Sequence, residues 1–228
     1  MKIRILIPMK ENLHLELVKR CGLLLDDILN KTRRETGWDV GWSIDMCGNP
    51  VKERGLQKLV AHTIKIRQRM AEKELRDHPD ADYFLWIDAD IVKYPADILI
   101  DLVNLEKSMH RGAIVAPAVL LEKCRLSRNG ERWYDTCGFI ENGNWARLRP
   151  PYFEQGGDIV SLDSVGAFYL VPTEVYRTGG RHEVPENPKF SDHYTLCQHA
   201  KQIGMRVICD TSLKVYHAYL PYYGEELH

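Results

Sequence analysis

Tyr83-Phe84-Leu85-Trp86-Ile87 is a continuous apolar run that ends in Asp88-Ala89-Asp90 and resumes as Ile91-Val92. A short apolar run bounded by acids, with no helical period, reads as a strand buried on both faces. Pro95 then stands where a helix opens, predicting one from Ala96 to about Met109, and Ala113 to Val119 is the next strand. Upstream, Lys2 to Pro8 leads into Ile5-Leu6-Ile7 and predicts a first strand, followed by an amphipathic helix from about Leu13 to Arg33. Trp38 to Met46 is a second strand, and the loop Gly48-Asn49-Pro50 introduces a long helix from Leu56 to Leu75. Strands alternating with helices predict an α/β fold whose mostly parallel central sheet is flanked by helices.

Placement makes Asp88 and Asp90 candidates for chemistry. Open α/β sheets bind ligands beyond the carboxyl ends of their strands, and Asp88-Ala89-Asp90 falls at such an end. The chain carries its own control: Asp80-Ala81-Asp82 is the same tripeptide set before the strand, on the side that does not bind ligands. By composition an Asp-x-Asp turns up about once in a chain of this length, so position carries the argument and spacing does not. Hard carboxylate oxygens suit a divalent cation, one acid taking the ion and the other a ribose or a bound water. His217, closing Val215-Tyr216-His217, is a candidate third ligand; the alternative is a core histidine satisfied by hydrogen bonds. Imidazole among carboxylates favours Mn²⁺, with Mg²⁺ second because it prefers an all-oxygen shell.

Composition narrows the partners. The chain has 228 residues, which suits one α/β core with decorations and leaves no room for a second full domain. Lys and Arg total 31 against 32 Asp and Glu, without a run of five like charges, so neither nucleic acid nor an anionic membrane is expected as a partner. The apolar run after Met1 is short and broken by Arg4, too little for a signal peptide or a membrane span. Cys21, Cys47, Cys124, Cys137, Cys197 and Cys209 contain no C-x-x-C pair, which predicts free thiols in a reducing compartment, hence a cytoplasmic location.

The second half is less regular. From Cys124 to Gly157 the pattern dissolves into Trp, Tyr, Arg, Pro and Gly, too long for a simple connection and therefore read as a functional excursion. Ile159 to Leu162 and Ala167 to Val171 are predicted strands. Ser191 is placed to cap a helix running to about Ile203, and Arg206 to Cys209 with Lys214 to Tyr216 give two short final strands.

Phe84-Leu85-Trp86-Ile87-Asp88-Ala89-Asp90-Ile91-Val92, then Val165-Gly166-Ala167-Phe168-Tyr169-Leu170-Val171, Ser191-Asp192-His193-Tyr194 ahead of Gly204, and Val215-Tyr216-His217 resemble, in order and spacing, the GT-A fold glycosyltransferases. Within them the chain is similar to Anp1-type mannosyltransferases and single-domain viral enzymes, and also to the first domain of a longer algal-virus glycosyltransferase. The resemblance implies one GT-A (Rossmann-like) domain over 1–228, with a nucleotide-binding half at 1–120 and an acceptor- and metal-completing half at 121–228. It further implies catalytic domains beyond His228 in a longer parent chain, and the host cytoplasm as the location of a viral protein.

The resemblance also implies roles. Pro8 and Asp45 would line the base and ribose pocket of a nucleotide-sugar donor, a UDP-sugar before a GDP-sugar, and Arg67 would touch the nucleotide. Arg67 shares a helical face with Val60, Thr63 and Met70, so it needs an anionic partner, and a buried ion pair is the plain alternative. Asp88, Asp90 and His217 would hold the cation, which neutralises the departing diphosphate. Gly166-Ala167 would let the backbone approach the donor sugar; a simple bulge is the alternative. Asp192 matches the acid that is a general base in inverting relatives, but Ser191 stands where a Glu often precedes it, and Anp1-type enzymes are retaining. Asp192 would then orient the glycan acceptor or stabilise oxocarbenium charge. Trp133, Tyr134, Trp145, Tyr152 and Phe153 fit an acceptor platform or a satellite core.

A rival reading is a haloacid-dehalogenase-type Mg²⁺-dependent phosphatase, with Asp88 as nucleophile and Asp90 as acid/base. Against it, the motif follows the third predicted strand instead of the first, and no later acid pair completes its metal site.

Overall fold

Ile87 ends the central strand with every side chain from Phe84 onward buried, as expected of a strand covered on both faces. The computed structural model describes residues 1–10, 13–47, 56–122, 131–187 and 189–218, so the Gly48-Asn49-Pro50 loop and the start of the excursion at Cys124 lie outside the described residues. In chain order the elements are β1 (Lys2–Lys10), α1 (Leu15–Thr36), β2 (Asp39–Cys47), α2 (Leu56–Asp77), β3 (Tyr83–Ile87), β4 (Ile91–Lys93) and α3 (Ile98–Ser108). They continue with β5 (Ala113–Leu121), β6 (Ile140–Glu141), β7 (Asn144–Trp145), β8 (Ile159–Ser161), β9 (Phe168–Pro172), α4 (Glu174–Arg177), α5 (Tyr194–Gln202) and β10 (Arg206–His217).

One sheet runs in the order β2-β1-β3-β9-β5-β10-β4, with β8 added on β10. Its long ladders, β1 with β2 and β10 with β5, are parallel, as is β1 with β3, while the antiparallel pairings of β9, β8 and β4 are shorter. The fold is thus mixed α/β with a mostly parallel central sheet flanked by helices. On α1 the buried residues Leu17, Cys21, Leu25, Ile28 and Leu29 form one helical stripe, and Gly37 at φ 66° closes the helix through its N–H to the Arg33 carbonyl.

Three local expectations need correction. The two final strands are one, β10, whose register shifts between Asp210 and Lys214, where Ser212 N–H and Oγ–H turn back to Asp210 Oδ1. The helix expected from Ser191 begins at Tyr194: the Ser191 carbonyl accepts the Tyr194 N–H in a preceding turn, and its buried Oγ caps nothing. The excursion packs into the main core instead of forming a satellite of its own: Trp133 is fully buried with the rings of Phe139, Tyr152 and Phe153 at 5.0, 4.8 and 5.0 Å, and Trp133, Phe139 and Phe153 join the same hydrophobic cluster as the sheet. Only Tyr134 and Trp145 of its expected platform are exposed, at 37% and 46%. Among the described side chains Cys21, Cys137, Cys197 and Cys209 are free thiols.

Candidate active site

Since β1, β2 and β3 are parallel, their carboxyl ends share one edge of the sheet, and β9 enters that edge antiparallel to β3. Phe168 pairs with Ile87, so the turn before β9 lies against the residues after β3, and the Ala167 carbonyl accepts the Asp88 N–H at 2.9 Å. Ala167 adopts φ 55°, a conformation costly for a residue with a side chain, and a Cβ on Gly166 would stand 2.2 Å from Asp135 Oδ2 and 2.7 Å from His193 Cδ2. The missing side chain at Gly166 is therefore what lets Asp135 and His193 close on the turn.

Asp88 and Asp90 part company. Asp88 Oδ1 accepts from Arg67 Nη2 at 2.5 Å, while Asp90 Oδ1 lies 3.0 Å from His217 Nε2. The second contact follows from β4 pairing with the end of β10 and from the Ala218 N–H bonding the Asp90 carbonyl at 2.8 Å. Tyr134 stacks on the His217 ring at 3.5 Å. The Asp80-Ala81-Asp82 control sits at the other end of the strand, where Lys2 occupies both acids: its Nζ bonds Asp80 and its N–H bonds Asp82 at 2.7 Å.

Arg67 is 2% exposed and bridges Asp88 and Asp192, the latter from Nε at 2.7 Å. Burial alone would lower its pKa, but the two carboxylates outweigh that and hold it charged. Burial likewise opposes ionisation of Asp192, yet neighbouring His193 and Arg67 hold its carboxyl below the usual range. Asp88 goes the other way, raised by burial and by Asp90 against the pull of Arg67. Asp135, which sequence reasoning missed, is pushed up to about 7 by burial and by the Asp88 charge. Only its position after Trp133-Tyr134, inside the irregular excursion, could have drawn attention to it.

A directed chain of hydrogen bonds supports Asp192. The Asp192 carbonyl can only accept, so His182 must donate from Nδ1, at 3.2 Å. His182 Nε2 then accepts from the Tyr176 hydroxyl at 3.2 Å, and that oxygen accepts from Trp86 Nε1 at 2.8 Å. Beside it, His193 meets the Tyr169 hydroxyl through Nδ1 at 3.1 Å and faces Asp192 Oδ1 with Nε2 at 3.5 Å. Burial keeps both rings neutral, with pKa values of about 3 for His182 and about 4 for His193.

Among the described residues, His182, Asp192 and His193 bring their donor atoms within 4.8 Å of one another. Arg67 already neutralises Asp192, and both His182 nitrogens are engaged, so this trio is better suited to holding Asp192 than to holding a cation. Pro8 and Asp45 face each other across the β1–β2 ladder, and Asp45 is paired with Arg69 at 2.6 Å. Since β2 lies two strands from β3, Asp45 is offset from the acids by about 10 Å across the sheet.

The pairing of Asp90 with His217 fits a divalent cation. The His217 Nδ1 lies 2.7 Å from the Ala218 carbonyl, which can only accept, so Nδ1 carries a proton and Nε2 is the nitrogen left for a metal. Two neighbouring ligands of an octahedral ion, each about 2.1 Å from it, stand about 3.0 Å apart, a spacing that Asp90 Oδ1 and His217 Nε2 already keep through their direct hydrogen bond at 3.0 Å.

No protein-family model and no curated protein matches the sequence. Solved structures do. The catalytic domain of Drosophila β1,4-galactosyltransferase 7, in complex with xylobiose, aligns with TM-score 0.52 and 11% identity over 100% of this chain and 75% of that one. S. aureus TarS 1–349 aligns with TM-score 0.52 and 12% identity over 97% of this chain and 61% of that one. A glycosyltransferase involved in glycosylation of the major capsid of PBCV-1 aligns with TM-score 0.48 and 15% identity over 92% and 82% of the two chains. The chain has the GT-A fold of glycosyltransferases.

Proposed function

We propose that this chain is a metal-dependent glycosyltransferase that moves a hexose from a UDP-sugar to a hydroxyl of a glycan, with retention of anomeric configuration. The observation that carries the reading is the convergence of four carboxyl groups on one edge of the sheet, Asp90 and Asp192 buried and Asp88 and Asp135 half-buried. Asp88, Asp90, Asp135 and Asp192 converge on the carboxyl end of β3, against Arg67 and His217. Crowding and burial raise Asp88 and Asp135 toward their protonated forms, and a bound cation would favour the ionised forms instead.

Asp90 and His217 would hold Mn²⁺ or Mg²⁺, with Asp88 beside them. The ion would neutralise the diphosphate as it leaves. Pro8 and Asp45 would line the nucleoside pocket, and Gly166-Ala167 would let the backbone approach the sugar. Arg67 would serve the nucleotide site indirectly, fixing Asp88 and Asp192 in place.

A general base must be able to take a proton at working pH, and a carboxyl held below its usual range does so poorly. Asp192 is such a group, a permanent carboxylate. We assign it to orienting the acceptor and to stabilising positive charge at the anomeric carbon, which suits retention. Residues 1–120 would bind the nucleotide and 121–228 the acceptor. Free thiols and a fold without a membrane-crossing helix among the described residues fit a cytoplasmic site of action. The test is a panel of UDP- and GDP-sugars with a mixed glycan acceptor, with and without Mn²⁺. Release of UDP only when metal is present supports the reading, and absence of nucleotide release from every donor refutes it.

A further inference from the structure

We propose, resting on the glycosyltransferase reading, that the cleft between α5 and segment 179–187 is a second saccharide subsite, holding the non-reacting part of a neutral oligosaccharide acceptor. The cleft encloses about 580 Å³, within the range of small-ligand sites. Its wall carries the rings of Phe190 and Tyr194, 4.3 Å apart and both partly exposed, which offer an apolar surface to the C–H faces of a pyranose. Beside them Asn187 and Gln202 bring amides, and Glu183 and Glu186 bring carboxylates that accept from sugar hydroxyls.

Charge selects the ligand class. Glu183 and Glu186 are both exposed and outnumber the lining guanidinium, Arg181, whose Nη1 is turned to the Tyr176 and Gly180 carbonyls at 3.1 and 2.8 Å, so the excess negative charge disfavours anionic sugars. Length fits more than one sugar ring, since Tyr194 and Gln202 are eight residues apart on α5, about 12 Å along its axis.

The cleft is also tied to the site. Thr195 Oγ accepts the Glu183 N–H at 2.9 Å and bonds the Arg181 carbonyl at 3.1 Å, pinning that wall to α5. Between those two residues His182 turns inward and donates to the carbonyl of Asp192. An acceptor seated here would press on the same segment that holds Asp192, and Phe190 and Tyr194 flank Asp192 in the chain.

The experiment is binding of the full chain to an array of neutral, sulfated and sialylated oligosaccharides, repeated with Tyr194→Ala and Gln202→Leu. Expected is binding confined to neutral glycans and weakened at least tenfold by either substitution, with unchanged thermal midpoints. Preference for anionic glycans, no glycan bound, or binding indifferent to both substitutions overturns the proposal. UDP release by the wild-type protein, measured in parallel, separates the two ideas: release without these binding changes sinks the subsite alone, and binding without release sinks the transferase reading.

Discussion

Asp90 Oδ1 and His217 Nε2 stand 3.0 Å apart where β4 meets β10, and a proton and a metal ion compete for the space between them. Burial works against the imidazolium, but Asp90 outweighs it and raises the His217 pKa above its ordinary value. The proton must therefore leave before a cation enters. Mn²⁺ affinity measured by calorimetry should rise about tenfold per pH unit below that pKa and level off above it, with about one proton released per ion bound. Affinity that ignores pH would separate His217 from the metal.

Asp90→Asn keeps the shape of the side chain and removes the charge. Sugar transfer should fall by at least about 1000-fold, roughly 4 kcal/mol of transition-state stabilisation, with the thermal midpoint preserved. Neither protein should hydrolyse an aryl phosphate with Mg²⁺; hydrolysis by the wild type would favour the phosphatase chemistry of an aspartyl nucleophile.

Arg67 bridges Asp88 and Asp192 from a position 2% exposed. Arg67→Met would leave both carboxylates without their partner and should destabilise the fold by about 3–5 kcal/mol in urea unfolding. Arg67→Lys, a single ammonium in place of a fork, should keep part of the stability and lose most of the activity.

His182 and His193 are buried neutral, with folded pKa values of about 3 and about 4 against 6.5 for the free side chain. Depressed pKa values mean that the unfolded chain takes up protons first. Their stabilising contribution is complete above pH 6.5 and is lost as pH falls toward 4 and then 3, by up to about 1.4 kcal/mol per pH unit for each ring. His182→Asn, which still offers an N–H to the Asp192 carbonyl but does not titrate, should flatten this acid limb in unfolding curves taken from pH 7 to pH 4.

A Cβ at Gly166 would meet Asp135 Oδ2 at 2.2 Å and His193 Cδ2 at 2.7 Å. The carboxylate can swing away but the buried ring cannot. Gly166→Ala should therefore reduce transfer more than it reduces stability, with turnover down at least about tenfold and the unfolding free energy down by only about 1–3 kcal/mol. An unchanged turnover would remove the close approach at this turn from the mechanism.

Much of this was written in the order of residues. The all-apolar run from Tyr83 to Ile87 requires burial on both faces whatever surrounds it, and acids directly after it must emerge at a sheet edge; the strand and the position of Asp88 and Asp90 follow from that alone. The helical period of Leu17, Cys21, Leu25 and Ile28 is equally local, as is the need of Arg67 for an anion.

Which anions Arg67 meets is not local. Asp192 lies 125 residues downstream, in the turn before α5, and reaches Arg67 only once β9 is paired with β3 in the assembled sheet. Asp135 gave no periodic signal, since the excursion around it is held by the Trp133 ring cluster and not by a repeating backbone pattern. The strand break at Asp210 to Lys214 read as two elements because polar residues interrupt the alternation, whereas the parallel partner β5 carries one ladder across the gap. The sequence determines elements through short-range periodicity and solvation; the meeting of carboxylates, guanidinium and imidazoles is decided by strand order, which brings distant residues together at a cost in chain entropy that only the assembled core offsets.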